Sequence, residues 1–143
     1  MKNKRRSGFT LIEIMVVLVI MGIMAALVVP KILGRTDDAR ITSAKADISS
    51  ITQALKLYKL DNMRYPTTQQ GLDALVKKTT LAPIPKDFKE GGYLEKLPND
   101  PWGSPYQYQN PGQHGEIDIY SFGPDGQSSA GANGDKVIGN WQL

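Results

Sequence analysis

Residues 4–29 read KRRSGFTLIEIMVVLVIMGIMAALVV, and the interpretation of this stretch decides the fold. Phe9 to Val29 is 21 residues long and nearly all apolar. As a helix, at about 1.5 Å rise per residue, it reaches roughly 30 Å, the thickness of a bilayer's hydrocarbon core. The segment before it carries Lys2, Lys4, Arg5 and Arg6 and no acid. Cations on that side of an apolar span predict that the amino end stays in the cytoplasm and the remainder is exported.

The rest of the chain has a different character. From Phe9 onward, 13 Lys and Arg stand against 14 Asp and Glu, so the formal charge of +3 belongs to the first residues. The basic balance is therefore no evidence for nucleic-acid binding, which needs a basic patch on the folded domain, and no nucleic-acid partner is expected. The chain has no cysteine, which excludes disulfides, thiol catalysis and Cys-based metal sites.

Three interpretations of the apolar stretch compete. In a secretory signal peptide, Met24-Ala25-Ala26 would be the cleavage site, but apolar residues continue past it and the run is long for an h-region. A plain uncleaved anchor explains the length, but not Gly8 at the junction or Glu13 inside the run. A carboxylate in hydrocarbon costs at least about 2–3 kcal/mol unless it is paired, although one a turn from the membrane edge can snorkel or stay protonated. The third interpretation takes the whole series. A basic leader, the Gly8-Phe9 junction, Glu13 and the long apolar helix stand in the order of the type IV prepilin signature, which this segment resembles. The resemblance implies cleavage between Gly8 and Phe9 by a prepilin peptidase and N-methylation of Phe9. It also implies that Glu13 pairs with the Phe9 amine of a neighbouring subunit when the helices bundle into a fibre. In such a core a charge pair is strongly favoured over either charge alone, so Glu13 would set the register between subunits.

Pro30 follows the apolar run. Proline removes a backbone donor and clashes with the preceding turn, which kinks or locally melts a helix. It reads equally as the end of the membrane span or as a hinge, with Gly34 adding looseness. Beyond it a helical period returns: Ile41, Ala44, Ile48, Ile51, Leu55 and Tyr58 form one apolar stripe, with charges on the other faces. This helix is expected to end near Asp61-Asn62. Thr67 to Gln70 has the form of a capping box opening a short helix through Val76. Pro83, Pro85, Gly91, Gly92, Pro98, Pro101 and Gly103 then mark a loop-rich section. Strands are expected at Gln107-Tyr108 and Glu116 to Ser121, joined by a turn at Asn110-Pro111-Gly112, with a last strand over Val137 to Trp141.

Three segments of the exported region narrow the family. Tyr65 to Leu75 (YPTTQQGLDAL), Leu97 to Gly103 (LPNDPWG) and Phe122 to Gly126 (FGPDG), the last followed by Asp135 and by Ile138 to Trp141, are similar to segments of the major pseudopilins of type II secretion, the protein G family of the type IV pilin-like superfamily. The resemblance implies an α+β fold, a long amino-terminal helix packed on a small antiparallel sheet with a loop-rich carboxy-terminal region. It divides the chain into a leader (1–8), a transmembrane and fibre-core helix (9–30) and a periplasmic globular domain (31–143). It implies a homopolymer that waits in the inner membrane, amino end cytoplasmic, and assembles into a periplasmic pseudopilus to export folded proteins. The partners implied are the prepilin peptidase, minor pseudopilins, and an inner-membrane assembly platform with its ATPase.

Residues 122–135 offer carboxylates, hydroxyls, carbonyls and several glycines, the oxygen-rich composition that Ca²⁺ needs. There is no EF-hand spacing, and Gly-Pro-Asp-Gly is also a generic turn. The resemblance implies a structural calcium ion held by the Phe122 carbonyl, the carboxylates of Asp125 and Asp135, and an oxygen of Ser128 or Gln127. Lys136 and Val137 make the spacing from Asp135 to Trp141 longer than the family's pattern.

Two alternatives have their own discriminators. An adhesive type IV pilin often closes its carboxy-terminal loop with a disulfide, which a chain without cysteine cannot form. An anchored periplasmic enzyme needs a catalytic constellation. The sequence has no Gly-x-Ser-x-Gly elbow, His-Glu-x-x-His or phosphate-binding glycine loop. His114, the single histidine, reads as an exposed loop residue, and Glu116 and Asp118 as a solvated strand edge. No enzymatic activity is expected.

Overall fold

Thr10 starts the first element. The computed structural model describes residues 8–126 and 137–143, with the backbone alone for 29–35. Helix α1 runs from Leu11 to Asn62. Its start is a reciprocal cap: the Thr10 N–H donates to Glu13 Oε2 (3.2 Å), and the Glu13 N–H donates to Thr10 Oγ1 (3.3 Å). The Thr10 N–H gains its acceptor in this way, and the Glu13 N–H is shared between the Thr10 hydroxyl and the Thr10 carbonyl (3.1 Å). The helical backbone continues through Pro30, so the proline does not end the element.

The chain divides into two units at Asp38/Ala39. In the first, Leu11–Val28 has a mean hydropathy of 2.9 and none of its residues is buried. In the second, the expected stripe is the inner face of α1: Ala44, Ile48, Ile51 and Leu55 have no exposed surface and Tyr58 has 1%. They pack with Leu72, Leu75, Tyr93, Tyr106, Ile117, Ile119 and Ile138 into one core. Met63, just past the helix, has φ 60° and occupies the left-handed position that closes many helices, while Asn62 Nδ2 donates to the Tyr58 carbonyl (3.2 Å).

The capping box forms at Thr67–Gln70, with the Thr67 N–H on Gln70 Oε1 (2.9 Å) and the Gln70 N–H on Thr67 Oγ1 (3.2 Å). The α-helix expected after it does not form. Gly71, at φ 62° and ψ −169°, takes the backbone off the helical path, and the chain makes only a single 3-10 turn, Leu72–Leu75. Gly92 packs against the end of that turn so closely that a Cβ would lie 2.6 Å from the Val76 carbonyl oxygen.

Among the described residues, three short strands complete the domain: β1 (Gln107–Gln109), β2 (Asp118–Ser121) and β3 (Ile138–Gly139). The order is β1-β2-β3, antiparallel throughout, with Tyr108 opposite Ile119 and Ser121 opposite Ile138. The last strand stops earlier than expected, because Asn140–Gln142 turn into a 3-10 segment. Small size and the absence of a disulfide leave this sheet dependent on the α1 stripe for its core.

Candidate assembly and calcium sites

At the amino-terminal junction, Phe9 is 84% exposed, and an atom added at the Gly8 Cβ position meets nothing within 4 Å. The packing of the chain therefore supplies no reason for a glycine at position 8. Glu13 lies five residues on, its carboxylate turned back onto Thr10. This capping role is legible in the Thr-x-x-Glu spacing, which the expectation for Glu13 leaves unused.

In the second unit, the loop from β1 to β2 folds back onto Asp118. The Asp118 carboxylate, 2% exposed, accepts the N–H groups of Gln113 (2.8 Å) and His114 (3.1 Å) and lies 2.9 Å from His114 Nδ1. Burial pushes the Asp118 pKa up, but the imidazole and the two backbone donors outweigh it and hold the group below its ordinary value. The His114 ring stacks on Trp141, centroids 3.8 Å apart and planes 12° apart. His114 is an exposed loop residue, as expected, though its ring is engaged on both sides; the reading of Asp118 as a solvated edge is corrected, because the fold buries it. Both belong to a clamp joining the loop to the carboxy-terminal segment. Glu116, by contrast, is exposed and paired with Lys59 on α1. The signal for the clamp is weak in sequence, because His114 and Asp118 are four apart in a loop with no regular period.

The third site starts at the end of β2. Residues 123–126 make one 3-10 turn, with Gly123 at φ 72° and Gly126 at φ 60°. Phe122 and Asp125 flank and occupy this turn; Phe122 also packs edge-on against Tyr120, centroids 5.4 Å apart. Beneath it lies a buried polar chain. Ser121 donates its hydroxyl to Asp100 Oδ2 (2.5 Å) and accepts the Gly123 N–H (3.0 Å). Gln127, Ser128 and Asp135, the other expected calcium ligands, lie outside the described residues. Among the described residues no three metal-ligating side chains of the His, Cys, Asp and Glu set converge.

Residues 31–141 match the family profile described as "Type II secretion system (T2SS), protein G", and residues 3–29 match the prokaryotic N-terminal methylation motif. The chain belongs to the protein G family of type II secretion. Among its relatives, the type II secretion system core protein G of Pseudomonas aeruginosa is 59% identical over 141 residues, covering 99% of each chain. The protein of the same name from Aeromonas hydrophila is 56% identical over 143 residues, covering 100% of this chain and 97% of the other. The crystal structure of the major pseudopilin from the type 2 secretion system of enterohaemorrhagic Escherichia coli matches with a TM-score of 0.71 at 47% identity, over 78% of this chain and 90% of that one. The α+β pilin-like fold of this protein G family member is thus shared with a pseudopilin.

For this protein G family member, the donor set expected of the carboxy-terminal loop is oxygen-only, two carboxylates, a main-chain carbonyl and a hydroxyl or amide oxygen, which is the chemistry a hard cation takes. The glycines at positive φ on either side of Asp125 suit the tight curl that such a ligand set needs.

Proposed function

We propose that this chain is a structural subunit that polymerises into the periplasmic pseudopilus of a type II secretion system and drives export of folded proteins across the outer membrane. The observation that carries this reading is the junction. A glycine with no packing role precedes an exposed Phe9 and a capped apolar helix of membrane-spanning length. With the match of residues 3–29 to the N-terminal methylation motif, this supports a glycine read by a prepilin peptidase, which would cut between Gly8 and Phe9 and leave Phe9 to be N-methylated.

Processing changes the electrostatics of the anchor. Removing residues 1–8 takes away four cations and creates an amine at Phe9. In the inner membrane the amino end lies at the cytoplasmic face, and residues 9–30 form the span. As helices enter the fibre, the Glu13 carboxylate exchanges its local cap for the Phe9 amine of a neighbour. That pair satisfies two charges that hydrocarbon would otherwise penalise. The domain over 31–143 stays in the periplasm and packs on its copies. An assembly platform and its ATPase supply the work, and minor pseudopilins start the fibre. The role is mechanical rather than enzymatic. Its one His–Asp pair serves as a clamp, with the imidazole stacked on Trp141.

Phe122, Asp125, Gln127, Ser128 and Asp135 would hold the calcium ion. When bound, the ion joins distant stretches of the loop through oxygen ligands and supplies the cohesion that a loop with few apolar side chains lacks.

The test is mass spectrometry of the mature amino terminus from native membranes, for the wild type and Gly8→Ala. N-methylated Phe9, lost in the variant, is the expected result. An intact Met1, or a cut after Ala26, overturns the proposal.

A further inference from the structure

Asp100 is 4% exposed, and a carboxylate so placed needs a full set of donors. It has them. Oδ1 accepts the N–H groups of Trp102 (3.1 Å) and Ser104 (2.8 Å), and Oδ2 accepts the Ser121 hydroxyl (2.5 Å). Ser121 is wholly buried and has a single proton to give. With that proton on Asp100, its oxygen is left as an acceptor, and it takes the Gly123 N–H at 3.0 Å. The bonds therefore run in one direction, from Gly123 through Ser121 to Asp100.

The peptide group that owns the Gly123 N–H also owns the Phe122 carbonyl. That peptide is planar, and it is not one of the chain's cis bonds. Its N–H and C=O therefore point in opposite directions, and fixing one aims the other away from Ser121. The same bonds act on charge. A carboxylate acceptor makes the hydroxyl oxygen a better acceptor, which draws on the N–H and leaves more negative charge on the carbonyl oxygen. Aim and polarisation are what a main-chain cation ligand needs.

We propose that Asp100 and Ser121 are positioning residues of the calcium loop, which aim and polarise the Phe122 carbonyl as a ligand without touching the ion. This role rests on the proposed binding of calcium by the carboxy-terminal loop. It assigns the Leu97 to Gly103 segment a task at a loop more than twenty residues away in sequence. A purely structural role, bracing the 98–104 turn against β2, would leave calcium affinity unchanged.

The experiment uses the full chain in detergent. Calcium affinity is measured by competition with a chromophoric chelator, and melting temperature is measured separately in EDTA. Asp125→Ala removes a proposed ligand, and Ile51→Val is a stability control in the core, away from the loop. Ser121→Ala is expected to weaken calcium binding roughly 10–100-fold, the usual effect of losing a group that orients a metal ligand. Ile51→Val lowers the melting temperature and leaves the affinity in place. Asp100→Asn, which keeps the side chain's shape and one acceptor oxygen, gives the same loss of affinity and serves if Ser121→Ala does not fold. Unchanged affinity in both variants, with binding abolished by Asp125→Ala, overturns the positioning role alone. A wild type that binds no calcium overturns both this role and the calcium site itself.

Discussion

Glu13 is assigned two tasks that a pair of substitutions separates. Its carboxylate closes the cap on Thr10, and in the fibre it is proposed to meet a neighbour's amine. Gln at this position of a capping box still reaches back to the first N–H, but carries no charge. Glu13→Gln should therefore keep the helix content of the detergent-solubilised chain, read by circular dichroism, and fail to form fibres by electron microscopy. Glu13→Ala should lose both, with a cap cost of about 1 kcal/mol. Fibres from Glu13→Gln at the wild-type level would show that charge at this position sets no register. Asp118 offers a pH test. Replacing it with Asn sets an amide among donors, which should cost about 1–3 kcal/mol in chemical denaturation at pH 7. Because the folded carboxyl is held below its ordinary value, its stabilisation is present above the unfolded value of about 3.9 and is lost as pH falls through the folded one. The gap between wild type and Asp118→Asn should accordingly hold from neutral pH to about 5 and close below about 4.

At the scale of the element, α1 carries two different solvents along one helix. Over Leu11–Val28 every side chain but Glu13 is apolar or Gly22 and none is buried; from Ala44 to Tyr58 a single stripe is buried and the opposite face is exposed. Leu55 and Leu57 stand two residues apart on opposite sides of this carboxy-terminal half, the first wholly buried and the second 49% exposed. Leu55→Ala should cost about 2–5 kcal/mol of unfolding free energy, by lost burial and a residual cavity. Leu57→Ala should stay within about 0.5 kcal/mol in the unassembled protein. Equal losses in urea titrations of the two variants would mean that the helix packs on a different face. The same element shows why proline is a poor guide to boundaries. Pro30 leaves one carbonyl without its helical partner, a cost that flanking helical residues absorb, so the helix continues.

At the scale of the molecule, the apolar amino-terminal helix and the folded unit from Ala39 onward answer to separate forces. A charge in the middle of Leu11–Val28 tests the first alone: Val19→Arg should raise the cost of insertion by about 2.5–3.5 kcal/mol and shift the chain toward the alkali-extractable fraction of membranes. Retention equal to the wild type would argue that the segment does not span. The amino-acid order by itself determined the apolar span, the junction at Gly8-Phe9, the inner stripe of α1, the end of that helix and the centres of the strands, because each is written in near neighbours as a period or an abrupt change of composition. It also carried the family, since several separated segments agreed with one pattern. Tertiary structure alone decided that Gly71 stops a helix after its cap, that Asp118 is buried against His114, whose ring stacks on Trp141, and that Asp100 reaches Ser121 beside the 123–126 turn. These depend on contacts between residues whose spacing follows no period. Whether a carboxylate is a solvated edge or the buried centre of a clamp is settled by which donors the fold brings to it.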